Sequence, residues 1–395
     1  MPERPDPSSG ERSSASPPGV SRRDVLRGAA AGACALCLGG LLGPGTPPAR
    51  AQAAQPGLIG RAPSPWFEPT GDGRLRCTLC PRRCALGEGE RGGCRVREHR
   101  EGSGHTLAYG NPSLVQLDPV ERTPFFHLLP GTRALSVSTA GCPIACRFCE
   151  VWDMALVAPE EVVAYDLPPQ ALVEHALAVG ATSLNFGFGE PVAFFEYMLD
   201  TAALARAAGL RVLVHTSGYV EEAPLATLTP LLDGANVDLK AFDEGFYRDM
   251  CAAELAPVLR SIRSLHRSGV HLELTNLLIP TLNDDPEQVR AMCRWIVGEL
   301  GPDVPLHLAR FYPLYQLANL PPTPVSTIDR ARAIAFEEGL HYVYVARVTG
   351  HEGENTFCPA CGATAIARLG FIIEEVALDD GRCAACGTTI EGRWH

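Results

Sequence analysis

Fifteen cysteines in a chain of 395 residues fall mostly into three groups, and the spacing within each group limits the chemistry it can do. Cys142-Pro-Ile-Ala-Cys146-Arg-Phe-Cys149 is a C-x3-C-x2-C loop. Three thiolates on one tight loop can ligate three irons of a 4Fe-4S cubane and leave the fourth iron open, whereas clusters that only transfer electrons normally take four cysteines. An open iron can accept an amine and a carboxylate together. A zinc site short of one ligand is the alternative for this loop.

The other two groups have four cysteines each. Cys358-x2-Cys361 and Cys383-x2-Cys386 are two knuckles separated by 21 residues. Four thiolates so paired suit a closed tetrahedral zinc site, or a rubredoxin-like iron. The span between them is too short and polar to have much core, so the metal should stabilise it. Cys77, Cys80, Cys84 and Cys94 are spaced less regularly. A structural metal is the favoured occupant there, with a second iron–sulfur cluster feeding electrons inward as the alternative. Short C-x2-C loops place two thiolates on one metal and are poorly suited to a disulfide framework. Cys251 and Cys293 stand alone in helix-patterned stretches and read as small buried residues.

Lysine is the second informative residue. The chain has 33 arginines and one lysine, Lys240. Under such a bias, a site that arginine could serve would already be arginine, so position 240 calls for a compact ammonium rather than a guanidinium fork. A structural salt bridge is the alternative. Net charge is -11, and the balance is more acidic still beyond the first 51 residues, which argues against a nucleic-acid partner. The local exception, Arg74, Arg76, Arg82, Arg83, Arg91, Arg95, Arg97 and Arg100, reads as an ordinary solvated face. His215 and His307 fall near the ends of candidate strands on the side of the presumed site, each read as a core or rim histidine within reach of it.

These residues need a frame. Short apolar runs at 134–140, 183–188, 211–216, 235–240, 271–279, 305–311 and 342–347 alternate with helix-patterned stretches near 168–180, 192–208, 223–232, 244–268, 285–300 and 326–338. Strands separated by single helices predict parallel pairing with right-handed crossovers, an α/β barrel or part of one. The Cys142–Cys149 loop then leaves the carboxyl end of the first such strand, where barrel active sites are built. At the amino terminus, Ser21-Arg22-Arg23-Asp24-Val25-Leu26 precedes an uncharged Ala/Gly/Leu-rich run and Ala49-Arg50-Ala51. A basic pair, a weakly apolar core and an A-x-A site predict a twin-arginine export signal with assembly of clusters in the cytoplasm before export, and no stable membrane span after its removal. Expected segments are 1–55 signal and linker, 56–130 Cys-rich, 131–350 barrel, and 351–395 a four-cysteine metal-binding domain.

The loop at 142–149 resembles the signature of the radical S-adenosylmethionine (SAM) superfamily, which implies a partial (β/α)6 TIM-like barrel holding a 4Fe-4S cluster and SAM. In that family the aromatic before the third cysteine, here Phe148, lies near the adenine. Phe186-Gly-Phe-Gly-Glu190-Pro191 resembles the Gly-Gly-Glu-Pro motif that meets the SAM amino group, which implies SAM-binding roles for Gly189, Glu190 and Pro191, with Phe188 in place of the first glycine. His215-Thr216-Ser217-Gly218-Tyr219 resembles a Thr-Asn-Gly motif and brings in Thr216. Asp238-Leu239-Lys240 resembles a motif of pyruvate formate-lyase activating enzymes, where the lysine lies near the SAM carboxylate; Asp238 and Lys240 are implied as binding residues and Lys240 as catalytic.

The likeness narrows to the AmmeMemoRadiSam system radical SAM enzymes through Cys77-Thr-Leu-Cys80-Pro-Arg-Arg-Cys84, Arg91-Gly-Gly-Cys94, Glu273-Leu-Thr-Asn-Leu-Leu-Ile-Pro280, Asn283-Asp-Asp, Pro305-Leu-His307, Phe311-Tyr-Pro313 and Asn355-Thr-Phe-Cys358-Pro-Ala-Cys361-Gly. Gly189 stands where that family usually has Asn. The resemblance implies reductive cleavage of SAM to a 5'-deoxyadenosyl radical that abstracts hydrogen from a protein or small molecule, fed by a flavodoxin- or ferredoxin-type donor. It also implies a C-terminal zinc ribbon or rubredoxin-like domain and a possible second metal at the N-terminal cysteines. An exported, non-catalytic iron–sulfur electron carrier is the rival.

Overall fold

The computed structural model describes residues 54–395; the expected export signal lies almost wholly outside them. The frame is one eight-stranded sheet: β1 (Leu114–Pro119), β2 (Arg133–Ser138), β3 (Ser183–Phe186), β4 (Arg211–Thr216), β5 (Gly234–Asp238), β6 (His271–Leu278), β7 (Leu306–Arg310) and β8 (Val343–Ala346), in spatial order matching the chain. From β2 to β8 every pairing is parallel. Helices α1 (Pro169–Ala178), α2 (Phe195–Ala207), α3 (Glu222–Leu228), α4 (Leu255–Arg267), α5 (Pro286–Leu300) and α6 (Val325–Glu337) connect successive parallel strands. The result is six strand–helix units and a seventh parallel strand. β1 adds antiparallel to the edge, pairing Leu114 with Ser138 and Pro119 with Arg133. It lies inside the segment expected to be merely Cys-rich, and sequence periodicity missed it because no helix follows it.

The strands read as continuous apolar runs because both faces are covered. Ser183–Phe186 is buried at every position. On α4, Leu255, Val258, Ile262 and Leu265 recur at helical spacing and are all buried, while Arg260 and Arg263 face outward into ion pairs. α5 begins where Asp285 accepts bonds from the Glu287 and Gln288 amides with Pro286 at the first helical position, and ends at Gly301, whose φ of 93° a side chain would resist.

One expected helix is broken. The stretch 244–268 becomes a turn at Glu244–Phe246, a widened turn at Tyr247–Cys251, a left-handed Ala252 at φ 50°, and only then α4. Its apolar pattern concealed the break because Met250 and Cys251, within it, are buried like residues of a helix face.

The amino ends of the strands are closed by a buried polar network. Glu273 on β6 accepts bonds from the Phe126 and His127 amides, from His271 Nε2 at 2.9 Å and from His307 Nε2 at 2.6 Å. His307 is thus a fully buried core histidine at the end of the sheet away from the cysteine loop, which corrects its expected place beside the site. Its position in β7 shows why: it follows Leu306 at the strand's start rather than its exit. The tail folds against this floor. Phe126, Tyr342, Tyr344, Cys358, Ala365, Cys383 and Ile390 form one hydrophobic cluster, and Arg368, stacked over the Phe126 ring at 4.3 Å, donates to Phe126 O.

His127 sits within this floor, bonded to Tyr344 Oη and Glu391 O, and burial holds its imidazole down to about 3. The unfolded chain takes up that proton near 6.5, so stability should fall as pH drops through this window, by about 1.4 kcal/mol per unit. Urea unfolding of metal-free protein should accordingly show a loss of roughly 2 kcal/mol between about pH 7 and pH 5. A His127→Gln variant should flatten that slope; an equal slope in both proteins would assign the effect elsewhere.

Candidate SAM and cluster site

The register of the sheet aligns the exits of four strands. Phe186 pairs with Val137 and Val214, and Thr216 with Val237, so the loops after β2, β3, β4 and β5 open on one side. The loop after β2 carries Cys142, Cys146 and Cys149, of which Cys146 is buried and the other two half-buried. Its backbone is clipped to the turn that breaks the expected helix: Ala145 N donates to Cys251 O at 2.8 Å and Arg147 N to Met250 O at 2.9 Å. The break therefore has a use. A regular helix would have kept those carbonyls for itself.

Burial pushes the Cys142 thiol well up and Cys149 to about 11, whereas the bond from the Cys251 thiol, and then Lys240, lower Cys146. Cys251 is buried as expected, but its carbonyl also holds the 142–149 loop, a role that its isolated sequence position gave no sign of.

After β3, Gly187, Phe188 and Gly189 bend the chain towards Ser138. A β-carbon at Gly189 would meet Ser138 Oγ at 2.3 Å, while Gly189 N donates to that same oxygen at 3.0 Å. Phe188 takes φ 66°, the left-handed region that favours glycine, which explains the glycine usual at that motif position. Its ring rests under the Arg122 guanidinium at 5.5 Å. Glu190 is buried and accepts from Thr216 Oγ1 at 2.6 Å, Ser217 N at 2.8 Å and Val192 N at 3.1 Å. Pro191 begins the turn that leads into α2. Glu190 and Thr216 thus meet directly, and Ser217 joins them through its amide, which the side chain at that position does not decide.

After β5, Asp238 lies between Lys240 and His215: Lys240 Nζ is 2.6 Å from Oδ2 and His215 Nε2 is 3.0 Å from Oδ1. Burial opposes the charge on both partners, yet Lys240 and His215 hold the Asp238 carboxyl well below its usual range, and Asp238 holds the Lys240 ammonium above its own. The salt bridge considered for Lys240 is present. The Lys240 backbone is fixed by Tyr247 Oη, which accepts from its amide, and by Asn276 and Asn283, which donate to its carbonyl at 3.3 and 2.8 Å. Phe148 is buried against Phe246, ring centroids 5.7 Å apart.

The donor set fits the implied groups. Three cysteines on one loop, with a buried carboxylate after β3 and a half-buried ammonium after β5, can hold a cluster and an amino acid's charged ends. At Gly189 the chain runs so close to Ser138 that a side chain would clash there.

The outer cysteine groups differ from one another. Cys358 Sγ and Cys386 Sγ are 3.6 Å apart, and Cys361 Sγ and Cys383 Sγ 3.8 Å. A tetrahedral ion with bonds of about 2.3 Å requires sulfurs about 3.8 Å apart. Both knuckles close alike, Gly362 N to Cys358 O and Gly387 N to Cys383 O, each glycine at positive φ. Cys77, Cys80, Cys84 and Cys94 line a pocket beside Pro143 of the loop after β2. The expected solvated arginine face holds in part: Arg74, Arg76, Arg83 and Arg91 pair with carboxylates, but Arg97 is buried against Glu196 at 2.6 Å, because it belongs to the wall of that pocket.

A parallel α/β sheet with these residues at its carboxyl edge defines a class, and the radical SAM superfamily matches residues 136–295. The chain belongs to the same family as an uncharacterized protein of Methanocaldococcus jannaschii, 38% identical over 328 residues that cover 82% of this chain and 98% of that one. It is also similar to the pyruvate formate-lyase-activating enzyme of Clostridium pasteurianum, 26% identical over 42% of this chain and 70% of that protein. The benzylsuccinate synthase activating enzyme of Thauera aromatica is 23% identical over 34% of this chain and 43% of its own length. The chain therefore carries a radical SAM domain related to those of activating enzymes. Among the described residues no helix is long and apolar enough to cross a membrane.

Proposed function

We propose that the protein is a radical SAM enzyme of the AmmeMemoRadiSam group. The observation that carries this reading is the convergence of the Cys142–Cys149 loop, Glu190 and the Asp238–Lys240 pair at one edge of the sheet. A 4Fe-4S cluster held by Cys142, Cys146 and Cys149 would supply, once reduced, the one-electron cleavage of SAM into methionine and a 5'-deoxyadenosyl radical. Glu190 and the backbone at Gly189 would receive the SAM amino group, and the Lys240 ammonium would face its carboxylate. Asp238 keeps Lys240 charged and in place, His215 holds the other oxygen of Asp238, and Phe148 would lie towards the adenine. Pro191 and Thr216 shape the carboxylate's surroundings.

The named relatives suggest a target on another protein, and a small molecule remains the other substrate class. A flavodoxin- or ferredoxin-type protein would donate the electron. Ser21-Arg22-Arg23 and Ala49-Arg50-Ala51 support export by the twin-arginine route of a chain already loaded with its clusters. The test is anaerobic reconstitution of the full chain, reduction with dithionite in the presence of SAM, and assay of 5'-deoxyadenosine. The product should form, and should be absent from a Cys146→Ala variant. A loaded cluster that leaves SAM intact would overturn the reading.

A further inference from the structure

We infer that Cys77, Cys80, Cys84 and Cys94 hold a second iron–sulfur cluster and not a zinc ion. The distinction lies in how far apart the sulfurs are held. One ion must draw its four thiolates together, whereas a cubane takes one thiolate on each of four irons and keeps them apart. The C-terminal cysteines show the first arrangement. The four C-terminal cysteines have their sulfurs within 4.8 Å of one another, and among the described residues no other group of three or more metal-binding side chains is so tightly gathered. Neither Cys77, Cys80, Cys84 and Cys94, although they line a single pocket, nor Cys142, Cys146 and Cys149 form so tight a group.

The pocket wall agrees. Arg97 is 2% exposed, lines the pocket, and has Nε and one terminal nitrogen with no partner, while its other terminal nitrogen serves Glu196 and Ser64. Buried donors without partners are costly unless something accepts from them. Bridging sulfides are such acceptors, and hydrogen bonds to cluster sulfur raise its potential. A zinc ion brings no sulfides, and its thiolates are the only acceptors it could offer.

The position gives the cluster a task, which rests on the radical SAM reading above. Pro143 lies in the pocket wall, and Arg82, from the loop between Cys80 and Cys84, donates to Pro143 O and to Ala252 O at 2.8 Å. At Gly141 a β-carbon would meet Cys94 O at 2.9 Å, so the two cysteine loops are packed backbone to backbone. One electron would enter the second cluster from a low-potential ferredoxin- or flavodoxin-type protein and pass on to the cluster of the 142–149 loop. The second cluster is oxidised as that one is reduced, with no proton or bond exchanged.

The test counts acid-labile sulfide, which neither zinc nor a rubredoxin-like iron contains. Anaerobically reconstituted full chain should carry about eight sulfides, and a variant with Cys142, Cys146 and Cys149 all changed to Ser should keep about four, with a reducible cluster signal in electron paramagnetic resonance. A Cys84→Ser variant, at a half-buried position, should lose about four sulfides while keeping the other cluster. Zinc in place of sulfide in the triple variant, or about four sulfides in the unaltered chain, would overturn the inference. Two loaded clusters without 5'-deoxyadenosine would sink the proposed function and leave this inference standing.

Discussion

Replacing Glu273 by Ala is expected to destabilise the fold by about 3–5 kcal/mol, although the residue lies at the opposite end of the sheet from the cysteine loop. Glu273 is fully buried and takes bonds from two amides and two imidazoles. Its carboxyl is held well below its usual range: burial opposes the charge, but His271 and His307 outweigh it. Truncation would leave four donors without an acceptor in a space closed by Phe126 and Tyr344. Because the folded carboxyl titrates below the unfolded one, its contribution is present above about pH 4.5 and is lost as pH falls further. Urea titration of metal-free protein reads the effect. A Glu273→Ala variant within about 1 kcal/mol of the parent would show that the floor is held by its apolar packing alone.

The second large effect is expected at Glu190. Glu190→Gln should lower the rate of 5'-deoxyadenosine formation per SAM bound, or the affinity for SAM, by about 10- to 100-fold, the worth of one charge-assisted bond of roughly 1.5–3 kcal/mol. The glutamine retains the size and one oxygen for Thr216 Oγ1 and Val192 N, while its amide nitrogen would face the Ser217 N–H. Iron and sulfide content serves as the control and should not change. If SAM binds and is cleaved as in the parent while the stability falls, Glu190 serves only to cap the Pro191 turn through Val192 N and to tie down Ser217 N.

Much of this was written locally. The C-x3-C-x2-C loop needs only eight consecutive residues to set its three ligands, and the two C-terminal knuckles need only their spacing and a following glycine. The strand–helix alternation came from apolar runs whose length and period are local properties. The antiparallel β1 strand escaped because it has no crossover partner, and the break at Tyr247–Cys251 escaped because periodicity records which residues are buried and not what their carbonyls bind.

What the sequence determined by itself was the kind of ligand at each position and the order of the elements, since both depend on neighbours along the chain. Tertiary structure alone decided which charges meet. His215 meets Asp238, and His307 meets Glu273, because parallel register brings together strands separated by whole helices. The spacing of the sulfurs was likewise decided in three dimensions. Four cysteines at Cys77–Cys94 and four at Cys358–Cys386 offer the same ligand atoms, and only the packing of their loops sets how closely those atoms approach.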